Sequence, residues 1–339
     1  MADLFSELDV AGIRLSNRIV LPPMATEAAD TEGLAGSGTL SWYAGLATTG
    51  VALVVVEHSF VAPEGRSSPR QLSLAADACI PGHAAIARSI HAAGAFAAAQ
   101  ISHAGANRHA GMPGPRIGPS AVEHPVSHVI PEEMTTAEIA GTIRAFGAAA
   151  ARARAAGYDL VEVHAAHGFL LSEFLSPLTN RRTDAYGGSS AHRRRMLLEV
   201  VEEVRAALHG ELPIMVRLAV ADDPPGRRFY DGGMTVEEGV GHARALEGAS
   251  VVILDLSAGL CGSRPEGVSG EAYYRPFAEA VSRAVSCPVV CTGGITLAQT
   301  AQDIVQHGTA ELVGVARAIV ADHEWVRNAR KELGDISAR

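Results

Sequence analysis

Eight short apolar runs, each followed by a stretch with helical spacing, constrain the fold of this chain more than any other feature. The runs are rich in Val, Ile, Leu and Ala and lack polar alternation, which is typical of strands buried on both faces of a parallel sheet. Helical apolar spacing recurs between them, as in residues 136–156 and 194–208. The predicted strands are residues 19–21, 52–56, 96–101, 160–164, 214–218, 251–256, 289–292 and 312–315.

Strand followed by helix, eight times over, predicts an α/β fold of the closed (β/α)8 TIM barrel type rather than an open doubly wound sheet. No G-x-G-x-x-G follows the first strand, which disfavours a Rossmann domain. No linker divides the 339 residues, so we expect one domain over residues 1–339. Long loops follow the third and fourth strands, at residues 103–135 and 168–190, on the side of the barrel where active sites form.

The charge balance excludes some classes of partner. The chain has 28 Lys and Arg against 37 Asp and Glu, a net charge of -9, and no basic tract that would bind nucleic acid. Residues 1–10 lack the pattern of a secretory signal, and no apolar stretch is long enough to span a membrane, so we expect a cytoplasmic protein. An anionic cofactor would therefore depend on local dipoles and a few placed cations.

Residues at two strand ends suit a planar ring. Gln100 ends the third strand, and its amide either reads the edge of a heterocycle or is an ordinary satisfied polar group. Paired prolines fix the backbone after the first strand, and a methionine offers a soft apolar contact there. These residues are Pro22, Pro23, Met24 and Ala25.

Arg217 lies in a fifth strand that is otherwise apolar. A buried cation costs several kcal/mol unless an anion compensates it, on the order of the cost of an unpaired buried ion. The compensating group is either a bound ligand or an internal carboxylate, Glu162 or Asp255.

Two histidines, His164 and His167, end the fourth strand. Two imidazoles this close at a barrel mouth can donate hydrogen bonds to one oxygen and stabilise charge on a carbonyl. Zinc is the competing interpretation, but it needs a third protein ligand, and H-x-x-H at a strand end lacks helical spacing. We therefore expect no metal. A metal-dependent barrel hydrolase or lyase is kept as the lesser alternative.

Glycines and a cation follow the last two strands. Loops in these positions form the usual phosphate site of a barrel, where free N–H groups and a cation meet the anion. The alternative is that the glycines serve only tight turns. The residues concerned are Gly293, Gly294, Gly314, Ala316 and Arg317.

Four strings together resemble the old yellow enzyme family, nearest to its bacterial ene-reductase and dienoyl-CoA-reductase-related members. They are HAAHGFLLSEFLSPLTNRRTDAYGG from His164, PPMAT from Pro22, QISHAG from Gln100 and TGGI from Thr292. The resemblance implies non-covalent FMN, reduced by NADPH or NADH, and hydride transfer to the β-carbon of an electron-poor alkene. It also implies a small-molecule substrate and allows a homo-oligomer, in which Arg339 would reach a neighbouring subunit.

The resemblance also implies a role for each candidate residue. Arg217 would face N1 and the C2 carbonyl of the isoalloxazine, and His164 and His167 would hold the substrate carbonyl. The phosphate would be held by Gly294, Ala316 and Arg317. The ring would be lined by Pro22, Pro23, Met24, Ala25, His58 and Gln100.

The chain departs from the family pattern at three positions. Phe169 stands where the family usually has a tyrosine that protonates the α-carbon, and Ala25 stands where a Cys or Thr is common. Glu27 replaces a substrate-binding tyrosine and could act as an acid if burial raised its pKa. The loss of the tyrosine leaves a second reaction open, a flavin-dependent dehydrogenation or isomerisation.

Overall fold

A computed structural model describes residues 2–262 and 264–337 of the chain, so Arg339 lies outside the described residues. The eight apolar runs form a closed barrel of parallel strands in which each strand pairs with the next and the eighth pairs with the first. The α/β (β/α)8 prediction is confirmed. The first to eighth barrel strands are Ile19–Leu21, Leu53–Phe60, Phe96–Ser102, Leu160–Ala165, Ile214–Ala219, Ile253–Ser257, Val289–Cys291 and Leu312–Gly314.

The second barrel strand is longer than predicted. The apolar run ends at Val56, but the strand continues to Phe60 through an irregularity between Val56 and Ser59, where the pairing with the third strand shifts. A bulge of this kind re-aims side chains at a barrel rim. It brings His58 to the mouth of the barrel. The other seven strands begin and end within two residues of the predicted positions.

Helices surround the barrel and bury apolar faces against it. Helix Thr136–Ala155 begins with a capping box, in which Thr135 accepts from the Glu138 backbone and Glu138 accepts from the Thr135 backbone. Helix Arg195–Leu208 buries its apolar stripe, as its spacing predicts. The remaining helices are Ser37–Ala47, Ile80–Ala92, Leu170–Leu175, Ser190–Arg193, Val236–Gly248, Arg275–Ser282, Ala298–Gln306, Arg317–Ala321 and Trp325–Ser337, with 3-10 turns at Pro63–Gly65 and Asp77–Cys79.

A short N-terminal hairpin closes one end of the barrel. Strands Leu8–Val10 and Ile13–Leu15 pair antiparallel, and Val10 and Leu15 pack against apolar side chains of the barrel interior such as Met215. The hairpin thus covers this end of the interior with apolar side chains. The polar interior residues lie nearer the other end, where the strands finish.

The two long loops at the mouth are held together by a buried arginine. Arg182, in the loop after the fourth strand, donates from Nη1 to the carbonyl oxygens of Pro119 at 3.0 Å and Met134 at 2.6 Å. Its Nη2 donates to Asp184 Oδ2 at 2.6 Å. The loop at 103–135 also contains its own paired strands, Ile117–Gly118 and Glu132–Glu133.

The helices of the described residues include none that is both long enough and apolar enough to cross a bilayer.

Candidate functional site

A cavity of about 600 Å³ opens where the barrel strands end. The structure brings almost all the candidate residues to it, from the ends of seven of the eight barrel strands. Glu27 is the exception. The candidates that line the cavity are Pro22, Pro23, Met24, Ala25, His58, Gln100, His164, His167, Phe169, Arg217, Gly293, Gly294, Gly314, Ala316 and Arg317.

Glu27 lacks the burial on which its suggested role as an acid depended. Its side chain is exposed, and both carboxylate oxygens lie 2.7 Å from the Ser68 hydroxyl, which donates to them. Its backbone takes a positive φ of 52° and its carbonyl oxygen accepts from Arg70 Nε at 3.0 Å. These contacts direct Glu27 toward the loop after the second strand, so the structure does not support Glu27 as a buried acid in the cavity.

Arg217 and Gln100 lie between the cavity and the barrel interior. Arg217 is buried, lines the cavity and places Nε 3.5 Å from Asp255 Oδ2. Gln100 is also buried, lines the cavity and donates from Nε2 to Glu162 Oε1 at 2.6 Å. This guanidinium thus has an internal carboxylate, Asp255, on one side and the cavity on the other, and its contact with a bound ligand stays a prediction.

The paired histidines lie side by side with Phe169. The ring centroids of His164 and His167 are 4.9 Å apart, and the Phe169 ring meets His164 edge-on at 5.0 Å. His167 Nε2 lies 2.6 Å from Ser257 Oγ, while His164 Nδ1 has no hydrogen-bond partner among the described residues. Burial lowers the pKa of both imidazoles well below the ordinary value of 6.5. Each ring is therefore neutral at pH 7 and carries one N–H donor.

His58 faces the same group of rings. Its ring centroid is 5.3 Å from that of Phe169. Its Nδ1 lies 2.6 Å from Gln71 Nε2, and Gln71 Oε1 accepts from the Ser67 backbone N–H at 2.7 Å. That second bond fixes the amide, so Nδ1 of His58 accepts and Nε2 carries the hydrogen. Burial, reinforced by the charge of Arg217, lowers the pKa of His58 to about 4.

Several functional residues were missed in the sequence. Asn107 lines the cavity and donates from Nδ2 to the carbonyl oxygen of His167 at 3.1 Å, where His167 holds a positive φ of 61°. Asn107 lies in a long loop that offers no periodic signal. Ser257 could have been found, because it comes at the end of the sixth barrel strand. Other cavity residues missed in the sequence are Gly262, Arg264, Tyr273, Tyr274, Thr292, Ile295 and Thr296.

The backbone conformation after the seventh strand requires glycine at two positions. Gly293 and Gly294 have φ values of 104° and 74°, which disfavour any side chain. A Cβ on Gly294 would lie 2.5 Å from the carbonyl oxygen of Gly270 and 2.8 Å from Tyr273 Cε1. The exposed cation of Arg317 lines the same cavity.

The cavity fits an anionic ligand with a planar ring. The described residues that line it include Arg217, Arg264 and Arg317 and no Asp or Glu, although the chain as a whole has a net charge of -9. The Arg317 cation and the backbone at Gly293 and Gly294 suit a phosphate. The buried Gln100 amide and Arg217 guanidinium suit the polar edge of a heterocycle.

Residues 3–335 match the NADH:flavin oxidoreductase / NADH oxidase family. The chain belongs to this family, the old yellow enzyme family. It is 38% identical to an NADPH dehydrogenase of Halalkalibacterium halodurans over 332 residues, which covers 98% of this chain and 95% of that protein.

Solved structures of this family superpose on the barrel. The chain matches a 2-naphthoyl-CoA reductase in complex with 2-naphthoyl-CoA with a TM-score of 0.89 and 25% identity, over 97% of this chain and 52% of that one. The chain thus spans about half the length of that reductase. It matches morphinone reductase in complex with tetrahydroNAD with a TM-score of 0.82 and 25% identity, over 98% of this chain and 91% of that one.

Membership in the old yellow enzyme family makes the chain an oxidoreductase with FMN as cofactor and NADPH or NADH as reductant. The cavity fits that cofactor, because its cations and its buried amide match a phosphate and a ring edge. The metal-dependent hydrolase alternative is overturned by the family assignment. Within the described ranges, moreover, no three His, Cys, Asp or Glu side chains are grouped so that they could hold a metal ion.

Proposed function

We propose that the chain reduces an electron-poor alkene conjugated to a carbonyl. The alkene gains a hydride at the β-carbon and a proton at the α-carbon, and NADPH or NADH is oxidised. The chemistry that bound FMN would supply is hydride transfer from the nicotinamide to the alkene. The observation that carries the proposal is the pair of neutral imidazoles, His164 and His167, in the same cavity as the Arg217 guanidinium.

The two imidazoles bind and polarise the substrate carbonyl. A neutral imidazole donates one hydrogen bond, so two rings 4.9 Å apart can both donate to a single oxygen. Donors aimed at an oxygen that gains negative charge are worth more in a desolvated site than in water. The β-carbon becomes more electrophilic as a result.

The proton for the α-carbon has no evident donor at position 169, beside the paired imidazoles, where the family usually has a tyrosine. Phe169 has no hydroxyl, Glu27 lies outside the cavity lining, and no carboxylate lines the cavity among the described residues. For the reduction we propose water as the proton source. The same feature favours a second candidate, dehydrogenation or isomerisation, in which a protonating tyrosine is not required.

Phe169→Tyr tests the proposal. A hydroxyl at this position would restore a general acid next to His164, and general acids accelerate proton transfer by about 100-fold or more. We expect kcat for cyclic enone reduction to rise, measured anaerobically with NADPH. Phe169→Leu, which alters the packing but adds no acid, is the matched control. If Phe169→Tyr shows no gain while the wild type desaturates a saturated ketone, the second candidate is the better one.

A further inference from the structure

Four buried polar side chains lie together in the interior of the barrel, and we call this group the polar layer. Gln100, Glu162, Arg217 and Asp255 come from the third, fourth, fifth and sixth strands. The strand register places Gln100 opposite Glu162 and Arg217 opposite Asp255. Gln100 and Arg217 line the cavity, whereas Glu162 and Asp255 are 0% and 1% exposed and do not.

The contacts within the polar layer leave several atoms unsatisfied. Glu162 Oε1 accepts from Gln100 Nε2 at 2.6 Å, and Arg217 Nε lies 3.5 Å from Asp255 Oδ2. Within the part of the chain that is described, Glu162 Oε2, both Asp255 oxygens and Arg217 Nε have no hydrogen-bond partner. Buried polar atoms are normally paired, so this layer needs a further explanation.

The charges in the layer do not balance if every group is ionised. Two carboxylates would face one guanidinium, and the neighbouring imidazoles, which are neutral at pH 7, supply no further positive charge. A buried carboxylate without a partner costs several kcal/mol, so it takes up a proton instead. One of the two acids is therefore neutral.

Geometry decides which acid is neutral. Asp255 has the Arg217 cation beside it, whereas the hydrogen-bond partner of Glu162 is the uncharged amide of Gln100. Burial and the charge of Asp255 raise the pKa of Glu162 well above its usual range. Burial raises the pKa of Asp255 to about 6, and the positive charge of Arg217 opposes this rise.

We propose that Glu162 is a neutral carboxylic acid and that Asp255 is the counter-ion of Arg217. Asp255 is then a positioning residue, because it partly neutralises the guanidinium charge that Arg217 presents to FMN. The FMN ring gains negative charge on reduction, and Arg217 stabilises that charge. Asp255 competes for the same guanidinium. The polar layer therefore sets how strongly the chain prefers reduced over oxidised FMN.

Two isosteric substitutions separate the roles of the acids. Asp255→Asn removes a charge, whereas Glu162→Gln replaces a neutral acid by a neutral amide. We expect Asp255→Asn to raise the midpoint potential of bound FMN, with the preference for the reduced form increased about tenfold, equivalent to about 30 mV for two electrons. Glu162→Gln should shift the midpoint potential by less than a third of the shift expected for Asp255→Asn. An equal or larger shift in Glu162→Gln, or no shift in Asp255→Asn, overturns the proposal.

Infrared spectroscopy gives a second measurement that needs only the wild type and Glu162→Gln. The wild-type holoenzyme at neutral pH should show the carbonyl band of a buried carboxylic acid that is missing in Glu162→Gln. Other buried acids, such as Glu173, contribute equally to both spectra and cancel in the difference. A difference spectrum without this band refutes a neutral Glu162. Neither measurement uses an alkene, so the outcome is independent of the proposed reaction.

Discussion

The nitrogen-bearing side chains in the cavity include both guanidinium cations and neutral imidazoles. Arg217 stays charged, whereas burial keeps His58, His164 and His167 uncharged near pH 7. Hydrogen bonds, rather than ion pairs, are therefore what the histidines offer to a substrate oxygen. A ligand whose oxygen carries full negative charge should gain most from them, since hydrogen bonds to charged groups are stronger than those between neutral groups.

Phenolate binding tests this at the residue scale. His164→Ala removes one donor, and a hydrogen bond to a charged group is worth about 1.5–3 kcal/mol, so the Kd of a para-substituted phenol should rise about 10- to 100-fold. The absorbance change of bound FMN measures the Kd. Ser257→Ala, which leaves both rings in place and removes only the partner of His167 Nε2, should show a smaller rise. An unchanged Kd in His164→Ala would remove this ring from the carbonyl site.

The site is formed by the barrel strands and by two long loops, and a few buried side chains hold these loops in place. Arg182 is 7% exposed and reaches both Pro119, in the middle of the loop at 103–135, and Met134, near its end. Removing a buried charge that holds several acceptors leaves those acceptors unpaired.

Arg182→Met is expected to loosen this loop. The substitution leaves the carbonyl oxygens of Pro119 and Met134 without their donor, and an unpaired buried acceptor costs about 1–3 kcal/mol, which is enough to let the loop open locally. Limited proteolysis should then cut within residues 103–135 much faster than in the wild type, and the KM for the alkene should rise. Arg181→Met is the control, because the Arg181 side chain is exposed. Equal cleavage rates in the two variants would show that Arg182 does not anchor the loop.

The barrel strands could be predicted from the sequence because a strand buried on both faces has a continuous apolar run. The same rule stops the second strand at Val56, since Glu57 and His58 are polar, although the strand continues through its bulge. The N-terminal hairpin has only three residues in each strand, too few for a pattern to show.

Site residues could be predicted where a polar side chain stands at the end of a strand, but not where a loop brings a side chain back to the site. Arg217 and the histidines were found because a polar group at the end of an apolar strand is conspicuous. Asn107 and Gln71 were not found, because their contacts with His167 and His58 depend on loop conformations that carry no periodic signal. The exposure of Glu27 has the same cause, since its bonds to Ser68 and Arg70 connect two loops.

The whole molecule buries histidines and carboxyl groups whose effects on stability oppose each other as pH changes. Burial lowers the pKa of buried histidines such as His83, so the unfolded chain binds more protons and stability rises with pH between about 4 and 6.5. Burial raises the pKa of carboxyls such as Asp222 to about 6, so the folded chain binds more protons and stability falls with pH up to that value. The measured pH dependence is the sum of both.

A single buried histidine away from the cavity isolates one part of that sum. His83 Nδ1 lies 2.8 Å from Tyr158 Oη and Nε2 lies 3.0 Å from the Ser73 carbonyl oxygen, and burial lowers its pKa from 6.5 to about 4. Between pH 5 and pH 7 this group alone should raise the free energy of unfolding by about 2 kcal/mol. His83→Gln removes the titration, so its gain between these pH values should be smaller than that of the wild type by this amount.

Urea unfolding of both FMN-loaded proteins at pH 5 and pH 7 measures the difference. A constant loss of stability from altered packing cancels between the two pH values, and the titration of FMN itself cancels between the two proteins. Only a change in proton uptake on unfolding survives this double subtraction. Parallel pH profiles for the two proteins would contradict the prediction, because they would mean that His83 titrates alike in the folded and unfolded chain despite its burial between Tyr158 and Ser73.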